Sequence, residues 1–467
     1  MKNETIVAIA TALSNSGIGI IRISGIDAIP IADKIFRAKK QGKKLKDMKS
    51  HTIHYGFIYD EENVIDEVMV VIMKGPNSYT TEDTIEIDCH GGILVMNRIL
   101  ETVINQGARI AEPGEFTKRA FLNGRIDLSK AEAVMDIIVS KNDFALKSSM
   151  QQLNGRLSNE IVLLRKKILS QIAYIEAAID DPENYELSDF IESLQVTNQK
   201  IIKRITHLLK CSENGKILKD GIKTVIVGKP NAGKSSFLNK MIGEEKAIVT
   251  NIAGTTRDIL EEHIRINGIG LNIIDTAGIH STEDIVEKIG VSKAKKIAKD
   301  ADLIIFIVDA SVPIDDSDKE IVRLIMNQKV LVLLNKIDLN AVITEEDVHH
   351  LFFDVSKREK KTYRIIKTST IKNLGLREFE ETIQEMFINR ELVENDEIFI
   401  TNMRHKEALN ETKKSLQFVE KSLINKMPED FLSIDLMNAY ESLGLIIGEQ
   451  IGEDLVNEIF ANFCMGK

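Results

Sequence analysis

The sequence predicts an α+β N-terminal domain, then an all-α central domain into which an α/β domain is inserted. Three changes of texture carry that expectation. Up to about Asp127, short β-branched runs alternate with turn residues. From about Leu128 to Lys219 glycine is sparse and apolar residues recur at helical spacing, a texture that returns from Thr401 to Phe463. Between those stretches strands and helices alternate as in a mostly parallel sheet. The expected division of the 467 residues is 1–127, 128–219, 220–389 and 390–467, the second and last pieces forming one helical domain. Such an insertion is tolerated where the inserted domain's ends lie close together.

In the first part, residues 19–24, 52–59, 67–73 and 84–90 read as strands, with Gly75-Pro76-Asn77-Ser78 as a turn. In the helical part Ile161, Leu164, Ile168, Ile172 and Ile175 mark one buried face. The inserted part has strands expected at 224–228, 271–275, 303–309, 330–335 and 363–368. Near the end, Leu455, Ile459 and Phe463 recur at i, i+4, i+8, which predicts a helix that docks and holds Gly466-Lys467 beside the N-terminal domain.

Composition excludes several classes. With 43% hydrophobic and 28% charged residues the chain reads as globular, and a net charge of -10 leaves no global field for polyanions. Nucleic-acid contact must then be local or shared with a partner. The basic run from Arg37 to Lys46 reads either as a local phosphate contact or, more plainly, as a solvated helix end and loop. Cys89, Cys211 and Cys464 are too far apart for a disulfide framework or a zinc knuckle, so a reducing, cytoplasmic setting is expected. Cys89 and His90 are consecutive in a strand and point to opposite faces, which argues against a metal pair. Residues 6–13 are apolar, but Glu4 precedes them and the pattern continues into a strand rather than a leader's cleavage site. The aliphatic runs 303–308 and 330–334 are of strand length, so no membrane partner is expected.

The inserted region carries the chemistry. Gly228-Lys229-Pro230-Asn231-Ala232-Gly233-Lys234-Ser235 follows a strand and opens a helix, the context a phosphate-binding loop requires. Its backbone N–H groups would cradle phosphates, Lys234 would reach the β- and γ-phosphates and Ser235 would ligate Mg²⁺. Asp275-Thr276-Ala277-Gly278 would place a carboxylate near the metal's water and a glycine N–H near the γ-phosphate. In Asn335-Lys336-Ile337-Asp338, the carboxylate of Asp338 can accept from N1–H and the 2-amino group of guanine, which adenine cannot supply. Thr255-Thr256-Arg257-Asp258 falls where a switch supplying a second Mg²⁺ ligand, Thr256, is expected. The motifs stand in the unpermuted order of a P-loop GTPase. Ile279 follows Gly278 where signalling GTPases carry the glutamine that orients the attacking water, so that task falls to another group, with Glu283, Asp284 and Glu287 as candidates. Arg257 is either a charge-stabilising finger or a solvated switch arginine.

Together with Ser236, Ile252-Ala253-Gly254, Pro113-Gly114-Glu115-Phe116-Thr117, Arg119-Ala120-Phe121-Leu122-Asn123 and the terminal Cys464-Met465-Gly466-Lys467, these motifs resemble the MnmE (TrmE) family of tRNA-modification GTPases over essentially the whole chain. The resemblance implies a folate-binding, dimerising N-terminal domain and a homodimer that joins the FAD-binding protein MnmG in a heterotetramer acting on the tRNA wobble uridine. It implies nucleotide contacts from Asn231, Ala232, Gly233, Lys234, Ser235, Ser236, Thr250, Asn251, Ile252, Ala253, Gly254, Thr255, Thr256, Asp275, Thr276, Ala277, Gly278, Asn335, Lys336, Ile337, Asp338, Ser369 and Thr370. It further implies K⁺ ligation by Asn231, Thr250, Ile252 and Thr255, and a water-orienting role for Glu287. A reduced folate of the 5-formyl-tetrahydrofolate type would meet Arg22, Glu82, Arg125 and Lys467, cations suiting its glutamyl carboxylates and Glu82 its donor-rich pterin edge. The chain departs from the usual pattern at Ala12-Leu13-Ser14-Asn15, at Thr81 and at Ser369-Thr370-Ile371. Cys464 reads either as a nucleophile or as a packing thiol buried beside Phe460 and Phe463. A ribosome-assembly or other regulatory GTPase is the alternative, and it would need an RNA-binding module where this chain returns to helices; a dynamin-like GTPase would need an apolar paddle.

Overall fold

The computed structural model describes residues 4–40, 42–181, 187–243, 261–266, 269–274, 301–356, 363–387 and 397–466. The chain combines an α+β N-terminal domain, an all-α domain and an α/β domain of P-loop type. It divides into two compact units, one made of Met1–Ile138, Met150–Gln199 and Glu411–Lys467, the other of Val139–Ser149 and Lys200–Asn410.

The first unit opens with β1 (Ile6–Ile9), β2 (Ser16–Ser24), α1 (Ala28–Ile35), β3 (Phe36–Ala38), β4 (Thr52–Asp60), β5 (Asn63–Met73), β6 (Thr84–Gly91), α2 (Ile93–Asn105) and β7 (Arg109–Ile110). The strands form one sheet in the order β3-β4-β5-β6-β2-β1-β7. Every pairing is antiparallel except β1 with β7, a short contact the β-branched texture did not announce. The segment weighed as a leader is therefore an interior strand, and Ile6 and Val7 are fully buried. Side chains alternate with the pleat: Val68, Val70 and Ile72 of β5 and Ile85, Ile87 and Cys89 of β6 face a core that α1 and α2 close with Ala28, Ile31, Met96 and Ile99. His90, on the opposite face from Cys89, is exposed and pairs with Asp66 at 2.7 Å. Burial pushes the Cys89 thiol up to about 11, with help from the nearby Asp66 charge.

Then come α3 (Glu115–Leu122), α4 (Leu128–Val139), α5 (Asp143–Leu153), α6 (Arg156–Asp180) and α7 (Leu187–Asp220). Ile161, Leu164, Ile168, Ile172 and Ile175 of α6 are all buried, on the face the spacing predicted. Helix Glu429–Ile447 lies against α6, fastened by Arg165, whose Nε donates to the carbonyl of Tyr440 at 3.2 Å and whose Nη1 meets Glu449 at 2.6 Å. The last helix, Glu453–Ala461, docks through the expected Ile459 and Phe463 but not through Leu455. Leu455 is exposed, while Val456, Phe460 and Phe463 pack on Leu128 and Ala131. Phe463 lies beyond the helix end, so the i, i+4, i+8 reading carried a helical period two residues too far. Cys464 is exposed, which corrects the buried-thiol reading for the same reason: past Ala461 its side chain no longer follows Phe460 inward.

The second unit holds β8 (Ile222–Val227), α8 (Lys234–Gly243), β9 (Glu261–Ile266), β10 (Ile269–Ile274), β11 (Leu303–Asp309), β12 (Val330–Asn335) and β13 (Tyr363–Lys367), in the sheet order β13-β12-β11-β8-β10-β9. All pairings are parallel except the edge hairpin β9–β10. In β11 all seven residues are buried: Leu303, Ile305 and Ile307 face one core, Ile304, Phe306 and Val308 the other. That two-sided burial is why β11 and β12 read as unbroken aliphatic runs. Strand β9 was not expected, because only Ile264 and Ile266 among its residues are aliphatic, and both are buried. The following Asn267-Gly268 was the available signal, as that dipeptide favours a tight hairpin.

Candidate functional site

The loop between β8 and α8 lies at the carboxyl end of the parallel sheet, where ligands of such folds bind. Two of its glycines are fixed by crowding rather than by flexibility alone. A Cβ on Gly228 would lie 2.3 Å from the carbonyl oxygen of Ile307, and one on Gly233 would lie 2.3 Å from Nδ2 of Asn335. Both have positive φ, and Asn231 between them is left-handed at 63°, a conformation asparagine tolerates better than most residues.

Lys234 begins α8 with its Nζ donating to the carbonyls of Gly228 at 2.8 Å and Lys229 at 2.7 Å, and burial lowers its pKa. The ammonium is thereby parked inside the loop it belongs to. Ser235 and Ser236 are exposed on the first turn of α8, and Asn231 is exposed at the rim. Lys229 bonds Asp315 at 3.0 Å and Asp318 at 2.7 Å, at the start of helix Asp316–Ile325.

Asn335 ends β12 and is buried. Its Nδ2 donates to the carbonyl of Ala232 at 3.0 Å, and its Oδ1 accepts from the Thr370 hydroxyl at 3.1 Å and the Thr368 hydroxyl at 3.3 Å. One side chain thus ties the phosphate-type loop to the segment after β13. Lys336 is left-handed and meets Asp309 at 2.6 Å. Burial works to raise the Asp309 carboxyl, but hydrogen bonds from Lys336 and Ser311 outweigh it and hold the group below the usual range. Asp338 accepts from the Ser369 hydroxyl at 2.6 Å, the bond that lowers its pKa and keeps it ionised, and it remains partly exposed. The structure therefore brings together Asn231, Ala232, Gly233 and Lys234 with Asn335 and Thr370, and Asp338 with Ser369. The expected contacts at Thr250, Asn251, Ile252, Ala253, Gly254, Thr255, Thr256, Asp275, Thr276, Ala277, Gly278 and Glu287 lie outside the described residues, as does Lys467.

A second charged cluster occupies the first unit. Arg22 and Glu86 are directly opposed across β2 and β6, and Arg22 Nε meets Glu86 at 2.7 Å. Its Nη1 donates to the carbonyl of Gly466 at 2.8 Å. Gly466 is thus held at the N-terminal sheet, and it is left-handed there with no room for a Cβ, which would sit 2.5 Å from the Ile9 carbonyl. Glu82 accepts from Ser24 at 2.7 Å and from Arg119 at 3.0 Å. Arg119 continues to Glu115 at 2.9 Å, and Glu115 to Arg109 at 2.7 Å. Arg125 stacks on Tyr79 and donates to that residue's carbonyl at 3.2 Å. The sequence reading missed Arg119 as a partner of Glu82; its i, i+4 spacing from Glu115 was the only local sign of the network.

A family model of the MnmE helical domain matches residues 128–464, and a model of the GTP-binding protein TrmE N-terminus matches residues 5–125. The chain belongs to the MnmE family. The tRNA modification GTPase MnmE of Lachnoclostridium phytofermentans is 57% identical over 467 residues, covering 100% of both chains. That of Alkaliphilus metalliredigens is 47% identical, covering 100% of this chain and 99% of its own. A solved structure of the G domain of the T. maritima FeoB iron transporter aligns with 35% of this chain and 97% of its own at 28% identity, with a TM-score of 0.26. As an MnmE-family protein the chain is a GTP-binding, GTP-hydrolysing enzyme of tRNA modification. No described helix of this MnmE-family chain is long and apolar enough to cross a membrane.

Proposed function

We propose that this protein is a cytoplasmic, K⁺-dependent GTPase that acts as a homodimer with MnmG, in a heterotetramer, to convert the tRNA wobble uridine at position 34 to 5-carboxymethylaminomethyluridine. A reduced folate supplies the one-carbon unit. The divisions 1–127, 128–219, 220–389 and 390–467 are the working domains. The observation that carries the nucleotide part of this reading is the pairing of a glycine-crowded loop with Asn335 behind it and Asp338, ionised, beside it.

In this reading Asp338 takes the guanine edge, and Lys234 exchanges its two loop carbonyls for phosphate oxygens. Mg²⁺ fits a hydroxyl such as that of Ser235, exposed at the helix start, with Thr256 as its second ligand. Such an ion, when bound, neutralises charge on the β- and γ-phosphates. K⁺ fits the oxygen-bearing side chain of Asn231 at the rim, with Thr250, Ile252 and Thr255 completing its shell. Its charge takes the place of an arginine finger, and Glu287 orients the water that Ile279 cannot. Folate carboxylates suit Arg22, Arg125 and Lys467, and Glu82 faces the pterin. Arg22 and Glu82 already hold protein partners, so the ligand joins an existing charge network rather than meeting bare charges.

The test is nucleoside analysis of tRNA after loss of the gene. The modified wobble nucleoside should disappear, return with the intact chain and fail to return with Glu287→Ala. Persistence of the nucleoside in the deletion strain would overturn the reading.

A further inference from the structure

Helix α7 presents His207, Cys211 and Gly215 at i, i+4 and i+8, hence along one face. The returning segment that precedes helix Met403–Ile424 lies against that face. At Gly215 the approach is so close that a Cβ would come within 2.4 Å of the Ile400 carbonyl oxygen, and Ile400 itself is buried. This backbone contact fixes where the segment's first described residue, Glu397, meets the helix. Its Oε2 is 3.0 Å from His207 Nε2, and Cys211 Sγ is 3.9 Å from the same nitrogen. All three ligand-type atoms lie within 4.8 Å of one another.

Those spacings are close to what one small cation demands. With Zn–N and Zn–O near 2.0–2.2 Å and Zn–S near 2.3 Å, a tetrahedral site puts its donor atoms about 3.3–3.6 Å apart. Cys211 is buried, while His207 and Glu397 are partly exposed, which leaves a solvent-facing position for a fourth ligand such as water. One imidazole nitrogen, one thiolate and one carboxylate form a borderline-soft set that favours Zn²⁺ over Mg²⁺ or Ca²⁺. We propose that His207, Cys211 and Glu397 form a Zn²⁺ site that clips the chain entering the nucleotide-binding region to the chain leaving it.

The surroundings carry both signs. Arg204, one turn before His207, lies 3.8 Å from Glu397 Oε2, so some of the carboxylate's charge is already spoken for. Burial and the Glu397 charge push the Cys211 thiol up, with Arg204 opposing them, so the thiol is protonated at neutral pH until a cation displaces its proton. The site is assembled from residues 186 positions apart in sequence, which is why cysteine spacing gave no hint of it.

Titration of the full chain with Co²⁺, in a Cys464→Ser background so that the exposed thiol cannot contribute, tests this directly. The expected result is one equivalent bound with a thiolate-to-cobalt charge-transfer band, displaced by Zn²⁺. Cys211→Ser should abolish the band, and Glu397→Gln should weaken binding at least about tenfold. The melting temperature should rise with Zn²⁺ in the parent and not in Cys211→Ser. Absence of the band in the parent, or a band that survives Cys211→Ser, would overturn the proposal.

Discussion

The two charged regions of this molecule are built on opposite plans. Around the nucleotide loop the fixed polar groups are braced from behind, Asn335 holding Ala232 and Ser369 holding Asp338, while Ser235 and Asn231 stay exposed. In the N-terminal cluster candidate ligand-binding groups are already tied to neighbouring charges, Arg22 to Glu86 and Glu82 to Arg119. The first plan preorganises a face for a ligand that arrives with its own charge. The second holds a neutral network that a ligand must enter by exchange, so it should tolerate the loss of a single group less well in stability and more gradually in binding.

The largest expected effect separates the two regions cleanly. If Asp338 takes the guanine edge as proposed, Asp338→Asn reverses one of its two hydrogen bonds to the base and strips the charge from the other, at ~1.5–3 kcal/mol each, so GTP affinity should fall by about 10²–10⁴ and xanthosine triphosphate should be preferred. Thermal stability should stay near the parent's, because Asp338 is partly exposed and Ser369 retains an acceptor. Competition binding with the two nucleotides checks it, and unchanged selectivity would break the comparison. Arg119→Ala should do the reverse. It leaves Glu82 and Glu115 without their shared cation and should cost ~2–4 kcal/mol of stability while leaving GTP turnover unchanged, measurable by denaturant unfolding alongside a GTPase assay.

Asn335→Ala sits between these, since it frees the buried Ala232 carbonyl and lets the loop relax. A loss of ~1–3 kcal/mol with weakened binding of all nucleotides, rather than altered base preference, is expected from calorimetry. The smallest effect is a pH dependence. Burial acts to raise Glu115, but hydrogen bonds from Arg109, the Glu112 backbone and Arg119 outweigh it and leave the carboxyl below its ordinary value. Its contribution is therefore complete above the unfolded value near ~4.3 and is lost as pH falls through the lowered native one. Glu115→Gln should flatten the acid limb of the stability profile, measured by denaturant unfolding across pH.

What the sequence made legible follows the same division. The nucleotide loop, Asn335 and Asp338 sit in contiguous motifs flanked by aliphatic strands, and periodicity located β8, β11 and β12 to within two residues and the buried face of α6. Strand β9 escaped because an edge strand with charged alternate residues has little apolar signal. The pairing of Glu82 with Arg119 escaped because nothing local links residues 37 apart. Leu455 was wrongly counted on the docking face of the final helix, whose first turn packs through Val456 instead. That Asn335 serves as a brace from behind the loop was also beyond reach, since a motif names residues without saying where their side chains turn.

The claim at the centre of this account is that a monovalent cation at Asn231 supplies the charge an arginine finger would otherwise bring. GTP turnover by the full-length protein in KCl and in NaCl at matched ionic strength tests it most directly. The account predicts turnover at least about tenfold faster in KCl, with the difference lost in Asn231→Ala. Equal turnover in the two salts would contradict it.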